Sequence, residues 1–173
     1  MSTINMEEEL KKAQVLVYDD LIDNRLMEFC VESCEKIYVG KRNGRHSMAQ
    51  EEINELLLKK ANEGKLVVRL KGGDPYVFGR GGEELELLCE HKIPYEVVPG
   101  VTSCIAVPAY NGIPVTHRDF CSSVHVITGH KRAGERYNID FEALVRTKGT
   151  LVFLMGITAT VSYTHLTLPT NSL

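Results

Sequence analysis

The feature that most constrains this chain is the alternation of short apolar runs with longer segments of helical pattern. Four runs of strand length, rich in valine, leucine, isoleucine and tyrosine, lie at 14–18, 36–39, 66–70 and 95–98. Strands that are buried on both faces of a parallel sheet have such near-continuous apolar sequences. Because helical patterns separate the runs, the first hundred or so residues predict an open parallel α/β sheet.

The clearest helix is predicted between the second and third runs, in the segment SMAQEEINELLLKKANEG. Ser47 and Gln50 fit the S-x-x-Q capping box at its start, and Gly64 is typical of a helix end. Its apolar residues fall on one helical face, and these residues are Ile53, Leu56, Leu57 and Ala61. Weaker patterns predict further helices over 6–12, 23–32 and 81–91. The predicted order of this part is therefore βαβαβαβ.

A second α/β domain is predicted after the segment VPGV at 98–101. The sequence beyond it predicts a helix over 102–111, a strand in SVHVIT, a helix near 140–146 and a strand in TLVFLM. We therefore expect two domains, residues 1–99 and residues 100–156. The threonine-rich segment 157–173 shows neither pattern, and we leave it out of the fold prediction.

Composition is typical of ordinary soluble proteins of the cytoplasm. The chain has 173 residues, 43% of them hydrophobic and 25% charged, with a formal net charge of −3. Affinity for a nucleic-acid backbone needs an excess of lysine and arginine, so this balance argues against a dedicated nucleic-acid binder. The sequence has no apolar run long enough to cross a bilayer, and its acidic beginning, MSTINMEEELKK, differs from a secretory signal. We expect a cytoplasmic protein without a nucleic-acid or membrane partner.

Neither the cysteines nor the histidines predict a metal site. The five cysteines are scattered and form no C-x-x-C pair, so we interpret them as free thiols at apolar positions. Cys30 and Cys34 would share a face if their segment were helical, but no matching pair of ligands accompanies them. The six histidines are equally dispersed. We therefore expect no metal.

The stretch VVRLKGGDPYVFGRGGEE, residues 67–84, is the clearest functional loop of the sequence. It follows the third predicted strand, and ligands of open α/β sheets bind at the carboxyl ends of strands. Gly72 and Gly73 lack a Cβ, so a ligand can lie against their bare backbone. The pattern matches neither the phosphate loop G-x-x-x-x-G-K-[ST] nor a dinucleotide fingerprint after the first strand. The alternative interpretation is that GGDP is a turn and GRGG a helix start; Arg80 and Glu83 beside the second glycine pair favour the binding loop.

Several long blocks in a fixed order resemble the tetrapyrrole methylase family, and among its members the uroporphyrinogen-III C-methyltransferases. The blocks, which span residues 13–156, are VLVYDDL, IYVGKRNGRHSMAQEEIN, VVRLKGGDPYVFGRGGEE, YEVVPGVTSCIA, GIPVTHRD, SSVHVITGH and TLVFLMG. The resemblance implies a fold of two α/β domains with a cleft for S-adenosylmethionine between them. It also implies methyl transfer to C2 and C7 of uroporphyrinogen III, which gives precorrin-2 on the route to sirohaem and cobalamin.

The resemblance also implies roles for residues at matching positions. Those that would line the cofactor are Gly72, Gly73, Asp74, Val77, Thr102, Ser103 and Met155. Asp19 and Lys41 match positions proposed as proton acceptor and proton donor. Arg80, Glu83 and Arg118 match residues that act on the substrate or in proton transfer. Either Glu83 or Asp19 would accept the proton that leaves the methylated ring carbon, and the sequence leaves this choice open.

The substrate implied by the resemblance gives the basic residues a possible binding role. Uroporphyrinogen is a polycarboxylate, which arginine binds in bidentate fashion and lysine as a point charge; the residues concerned are Lys41, Arg42, Arg45, Arg80 and Arg118. A short charged segment such as GKRNGRH is otherwise most often a solvated turn. With the resemblance, Lys41 and Arg80 are expected at the site, whereas Arg42 and Arg45 stay undecided. Family members form homodimers, so we expect one for the intact protein.

Two departures from the family pattern affect these expectations. Family members begin with a strand and a G-x-G-P-G-D-P loop that is not found in this sequence, and the similarity stops near Gly156. The resemblance therefore implies a first domain, 1–99, that lacks its first strand and glycine-rich loop, and a second domain, 100–156, that is incomplete. We therefore expect residues 1–173 alone to bind S-adenosylmethionine weakly or not at all. Two alternatives stay open: a sister methylase that acts on another tetrapyrrole, and a non-catalytic α/β module that binds a nucleotide or an anion.

Overall fold

The computed structural model of the chain describes residues 3–40, 48–129 and 139–156. Contacts between residues divide the chain into two compact units after Val101. Some residues of the sequence analysis lie outside the described residues, namely Lys41, Arg42, Arg45, Ser47 and the segment 157–173. No helix in the described part of the chain is long and apolar enough to cross a membrane.

A three-stranded parallel sheet forms the centre of the first unit. Its middle strand β1 (Val15–Tyr18) pairs with β2 (Glu35–Tyr38) on one side and with β3 (Val67–Leu70) on the other. The sheet confirms the parallel α/β architecture predicted from the first three apolar runs. Side chains of β1 alternate between the two faces of the sheet, and three of them, Val15, Leu16 and Val17, are fully buried.

Helices cover both faces of this sheet. The helical elements of the unit are α1 (Ile4–Lys12), a 3-10 helix (Asn24–Phe29), α2 (Gln50–Asn62) and α3 (Gly81–Glu90). Leu10 of α1 packs in one buried cluster with Leu16 of β1. Ile53 and Leu57 of α2 pack in a second cluster with Val15 and Val17. The sheet is thus buried on both sides, as its apolar strands predict.

Two predictions about helices are wrong in detail. The segment 23–32 holds a six-residue 3-10 helix instead of an α-helix, so Cys30 and Cys34 do not share a helix face. Helix α2 begins after Ala49, whose N–H donates to Glu52 Oε2 at 2.7 Å. The carboxylate that caps this helix is therefore Glu52, whereas Ser47 of the predicted S-x-x-Q box lies outside the described residues. Gly64 closes the helix as predicted, with its N–H donating to the Ala61 carbonyl.

The predicted strand at 95–98 is also absent from the fold. Residues 92–100 belong to no helix or strand, and no backbone–backbone hydrogen bond in the described part of the chain involves residues 94–99. Apolar and β-branched side chains favour a strand, but a strand forms only where a partner completes its ladder. This segment has the sequence of a strand without a neighbour to pair with.

The second unit contains a two-stranded parallel sheet with helices around it. β4 (Val124–Thr128) pairs with β5 (Thr150–Leu154), while α4 (Ser103–Tyr110) and α5 (Phe141–Arg146) precede the two strands. These four elements confirm the predicted ones within one or two residues at each end. Among the described residues of this unit, the buried hydrophobic side chains are those of Cys104 and Ile127.

Candidate functional site

The glycine-rich loop, residues 71–80, joins β3 to α3 at the carboxyl end of the first sheet. The Asp74 carboxylate organises this loop. Its Oδ1 accepts hydrogen bonds from the N–H groups of Tyr76 at 2.9 Å and Val77 at 3.2 Å, and its Oδ2 accepts one from the Gly100 N–H at 3.0 Å. A single side chain therefore shapes the turn and ties it to the segment just before Val101.

Gly73 and Gly100 make a close backbone approach within this arrangement. A Cβ on Gly100 would overlap the carbonyl oxygen of Gly73. Gly73 itself has φ of +77°, a conformation that glycine adopts without strain, and a Cβ there would have no protein atom within 4 Å. Gly72 and Gly73 are both exposed. The loop therefore presents bare main chain to its surroundings.

Arg80 and Glu83 lie together on the exposed side of the first turn of α3. The guanidinium donates from Nε to Glu83 Oε1 at 3.0 Å and from Nη2 to Glu83 Oε2 at 2.6 Å. The side chains are 49% and 42% exposed, and the hydrogen bonds that Arg80 donates to Glu83 raise the pKa of Arg80. Arg80 has φ of +57°, and the helix begins directly behind it at Gly81. The interpretation of GRGG as a helix start is thus correct for the local structure.

A buried ionic network lies on the other side of this turn, and the sequence analysis missed it. Glu84 is 5% exposed, and its Oε1 accepts hydrogen bonds from Lys71 Nζ at 2.8 Å, Gln50 Nε2 at 3.2 Å and Arg69 Nε at 3.3 Å. Arg69 Nη2 in turn donates to Asp19 Oδ2 at 2.8 Å. Two cations and two carboxylates therefore form one continuous chain from the end of β1 to the start of α3.

Burial sets the electrostatics of this network. The pKa of Lys71 is lowered, chiefly by burial, although its hydrogen bond to Glu84 acts in the opposite direction. Each buried charge has an opposite charge in contact, which is the condition under which charged groups are tolerated inside proteins. The sequence contained a signal for it: Arg69 interrupts the apolar run VVRL, and a charge within a buried strand needs a partner.

Asp19 directly follows β1, so it lies at the same carboxyl edge of the sheet as the glycine-rich loop that follows β3. Its Oδ1 accepts a hydrogen bond from the Leu21 N–H at 3.0 Å, while Oδ2 is held by Arg69. The Asp19 side chain is 22% exposed. The carboxylate is thus fixed in orientation and partly open to solvent.

Three predicted residues of the second unit lie at the start of α4 or the end of β5, and Arg118 lies in the segment between α4 and β4. Thr102 caps α4: its Oγ1 accepts a hydrogen bond from the Cys104 N–H at 3.4 Å and donates to Cys104 Sγ at 3.3 Å. Ser103, the first residue of the helix, is exposed, and so is Arg118. Met155 follows β5 with φ of +56° and is 52% exposed.

The structure brings most of the predicted residues of the first unit together on one loop and the helix that follows it. These residues are Gly72, Gly73, Asp74, Val77, Arg80 and Glu83. Asp19 is joined to the same helix through Arg69 and Glu84, and Lys41 lies outside the described residues. Within the described ranges, no group of three or more histidine, cysteine or acidic side chains is arranged to hold a metal ion, and the five cysteines are free.

Comparison with known proteins places relatives of this chain in tetrapyrrole metabolism. The chain is 58% identical over 154 residues to the porphyrin biosynthesis protein HemD of Ruminiclostridium josui, which covers 89% of this chain and 31% of the relative. It is 55% identical over 157 residues to the uroporphyrinogen-III C-methyltransferase of Methanocaldococcus jannaschii, covering 90% of this chain and 64% of the relative. The chain thus spans about a third to just under two thirds of the length of these curated relatives.

A solved structure gives the same result at the level of the fold. The uroporphyrin-III C-methyl transferase of Thermus thermophilus, crystallised with S-adenyl homocysteine, superposes on 99% of this chain and 71% of its own with a TM-score of 0.74 and 38% identity. Residues 3–165 also match the family described as Tetrapyrrole (Corrin/Porphyrin) Methylases. Because this match extends over most of the sequence and agrees with the parallel α/β fold, the chain belongs to the tetrapyrrole methylase family.

Proposed function

We propose that the protein containing this chain is a uroporphyrinogen-III C-methyltransferase, which transfers methyl groups from S-adenosylmethionine to C2 and C7 and gives precorrin-2. The observation that carries the proposal is 55% identity, over 90% of this chain, to a methyltransferase named for this substrate. A second relative, 54% identical, is named an S-adenosyl-L-methionine-dependent uroporphyrinogen III methyltransferase. These relatives are longer than the chain, so the proposal concerns the protein that holds the complete family domain.

The glycine-rich loop fits the cofactor. The main chain at Gly73 has no protein atom in front of it, and the Asp74 carboxylate fixes the loop through three backbone N–H groups. When bound, S-adenosylmethionine supplies an electrophilic methyl group on a sulfonium sulfur, so the protein's main task is alignment. The residues proposed to contact it are Gly72, Gly73, Asp74 and Val77 in the first unit and Thr102, Ser103 and Met155 in the second.

Arg80 and Arg118 are proposed to bind carboxylates of the substrate. Glu83 engages the Nε and Nη2 groups of Arg80, whereas a guanidinium carries five N–H donors in total. Arg80 can therefore bind a substrate carboxylate while Glu83 holds its orientation. The pair stands half exposed on the surface, where a polyanion can reach it without displacing a buried charge.

Asp19 is proposed as the proton acceptor in preference to Glu83. Its orientation is fixed by Arg69 and by the Leu21 N–H, and its side chain is more shielded than that of Glu83, 22% against 42% exposed. A general base acts best when it is held in position and partly removed from water. Lys41 is proposed as the proton donor because it matches the corresponding position in the family.

The test is a methyl-transfer assay on a chimera in which the M. jannaschii relative supplies the regions that this chain does not match. With S-adenosylmethionine and uroporphyrinogen III, we expect the absorbance of the oxidised dimethylated product. We expect Asp19→Asn to lower the rate by about a hundredfold or more, the usual contribution of a general base, and Glu83→Gln by less. Cofactor binding without product would instead support the binding module, and product from a different tetrapyrrole would support a sister methylase.

We also propose a cytoplasmic location and a homodimer for the intact protein. Five free cysteines are typical of a reducing compartment. The second unit exposes large apolar side chains, which are typical of an interaction surface, and these are Ile105, Val107, Tyr110 and Phe120. Light scattering on the chimera tests the dimer, and a monomer at micromolar concentration would contradict it.

A further inference from the structure

Two polar side chains of α2, those of Gln50 and Asn54, lie one helical turn apart and contact the first turn of α3. Gln50 Nε2 donates a hydrogen bond to Asn54 Oδ1 at 2.9 Å, and Asn54 Nδ2 donates one to the backbone carbonyl of Glu83 at 3.1 Å. Gln50 Nε2 also donates to Glu84 Oε1 at 3.2 Å. The two amides therefore join α2 to the turn that carries the Arg80–Glu83 pair.

Hydrogen-bonding capacity fixes the orientation of both amides. A side-chain amide has one acceptor oxygen and two N–H donors. Asn54 turns its oxygen towards Gln50 and its nitrogen towards the Glu83 carbonyl, so a reversed amide would place oxygen against oxygen. The Gln50 nitrogen uses its donors on Asn54 and Glu84. All three contacts are partly buried, where a hydrogen bond is stronger than it is in water.

Glu83 is held through its backbone and orients Arg80 through its side chain. Its carbonyl accepts the hydrogen bond from Asn54, while its carboxylate accepts one from Arg80 Nη2 at 2.6 Å. Arg80 has φ of +57°, a sparsely populated conformation that persists only where the surrounding structure determines it. A contact that fixes the Glu83 backbone therefore also helps to fix the position of the Arg80 guanidinium.

The same network reaches the Asp19 carboxylate at the end of β1. Glu84 Oε1, which accepts from Gln50, also accepts from Arg69 Nε at 3.3 Å. Arg69 Nη2 donates to Asp19 Oδ2 at 2.8 Å. An unbroken series of hydrogen bonds thus runs from the Glu83 carbonyl to the Asp19 carboxylate. The side chains between these two groups are, in order, Asn54, Gln50, Glu84 and Arg69.

We infer that Asn54 and Gln50 are positioning residues, which set the spacing between the Arg80–Glu83 pair and the Asp19 carboxylate. The inference rests on the proposed function, in which Arg80 binds a substrate carboxylate and Asp19 accepts the proton of the methylated carbon. A substrate held by its carboxylate presents that carbon to the base only if the two protein groups keep their separation. A misplacement of about 1 Å can lower a rate by about a hundredfold, even when the altered residue is remote from the reacting atoms.

The test uses Asn54→Asp in the chimera described above. Aspartate keeps the size of asparagine and an acceptor for Gln50, but it has no N–H for the Glu83 carbonyl. We expect kcat to fall by about tenfold or more and the KM for the substrate to change by less than about twofold, because Arg80 is still present. Asn62→Asp, the same substitution at an exposed position of α2, is the matched control and should keep the wild-type kcat.

A second measurement separates positioning from a general loss of folded protein. In a chimera that already carries Asp19→Asn, adding Asn54→Asp should lower kcat by less than about twofold, because the base whose position matters is gone. A purely structural role would lower kcat by the same factor in both backgrounds. If Asn54→Asp does not fold, Gln50→Met takes its place with the same expectations, since methionine keeps the length of glutamine and lacks its N–H donors.

Hydrogen exchange in residues 1–173 tests the link itself without substrate or cofactor. The Gly81 N–H donates to the Pro75 carbonyl and the Glu84 N–H to the Arg80 carbonyl. Asn54→Asp should speed exchange of these two amides by about fivefold or more, because it loosens the turn that they hold together. Asn62→Asp should leave both exchange rates as they are in the wild type.

The outcomes distinguish this inference from the proposed function. A wild-type chimera that gives no product would overturn the proposed function and the positioning role with it. With an active wild type, an unchanged kcat in Asn54→Asp would overturn the positioning role alone, and so would equal losses of kcat in the two backgrounds. Unchanged exchange at Gly81 and Glu84 would show that Asn54 does not hold the turn, whatever the activity.

Discussion

The first turn of α3 carries two adjacent glutamates in opposite surroundings. Glu84 is buried and accepts hydrogen bonds from Lys71 and Arg69, whereas Glu83 is half exposed and pairs with Arg80 on the surface. The first carboxylate links a helix to a strand, and the second orients a cation that solvent can reach. Of these two neighbouring glutamates, Glu84 therefore serves stability and Glu83 serves surface chemistry. Variants at one position or the other can test this comparison.

The largest difference in unfolding free energy is expected between the variants Glu84→Ala and Glu83→Ala. Removal of Glu84 leaves the buried Lys71 without its carboxylate partner and Arg69 with Asp19 alone, and breaking a buried pair in this way costs about 3–5 kcal/mol of unfolding free energy. The loss of an exposed pair costs about 0.5 kcal/mol or less. Urea denaturation followed by circular dichroism measures both. Equal losses of unfolding free energy in the two variants would contradict the contrast between a buried and a surface glutamate.

Asp74→Ala is expected to have an intermediate effect. It removes a partly buried carboxylate that accepts three backbone N–H hydrogen bonds. Donors that lose a charged acceptor in this way typically lower the unfolding free energy by about 2 kcal/mol. Faster hydrogen exchange at Tyr76, Val77 and Gly100 would identify the loop as the affected region. Asp74→Asn, which keeps one acceptor oxygen, is the matched control and should lose less.

Double-mutant cycles sharpen the comparison at the level of single pairs. We expect a coupling energy of about 1–3 kcal/mol between Lys71 and Glu84, because the pair is in contact and buried. For Arg80 and Glu83 we expect about 0.3–0.5 kcal/mol, the usual value for helix pairs on a surface. Methionine in place of Lys71 and glutamine in place of the glutamates keep the side-chain volumes similar. If the coupling energy of Arg80 with Glu83 were as large as that of Lys71 with Glu84, the distinction between a surface pair and a buried pair would be wrong.

The smallest expected effect is a dependence of stability on pH at Lys71. Burial lowers the pKa of Lys71 in the folded chain, while the unfolded value is about 10.4. Between these two values the unfolded chain binds more protons, so the unfolding free energy should rise as the pH rises toward about 10.4. The difference between wild type and Lys71→Met across alkaline pH isolates this contribution. A difference that falls with pH would show that the ion pair with Glu84 outweighs burial.

The parallel sheet could be predicted because the mostly apolar runs at 14–18, 36–39 and 66–70 overlap β1, β2 and β3 and are separated by helical patterns. The run at 95–98 has the same local pattern, but local pattern does not supply a pairing partner, and the fold leaves it unpaired. The 3-10 helix and the start of α2 differ from prediction at residues where capping depends on one side chain, such as Glu52. The secondary-structure propensity of the sequence thus located most helices and strands, whereas side-chain contacts determined the residues at which the helices begin and end.

For the site, sequence located the residues whose contacts are local. Arg80 and Glu83 are three positions apart and meet across one helical turn. The network around Glu84 depends on longer separations: Arg69 and Glu84 lie 15 positions apart, and Arg69 and Asp19 lie 50 apart. Their contact requires the parallel register of β1 and β3, which places Val17 beside Arg69. A single sequence does not contain that register, so the network could be found only in the folded chain.

The backbone of Arg80 adopts a left-handed conformation that is unfavourable for a residue with a side chain. An L-residue in the left-handed region loses about 1–2 kcal/mol relative to the right-handed one, and glycine avoids this penalty. Arg80 adopts φ of +57° between two glycines, at a position where a third would relieve the strain. The chain thus forgoes conformational free energy at the residue whose guanidinium pairs with Glu83, so the Arg80 side chain is held there at a cost in local backbone stability.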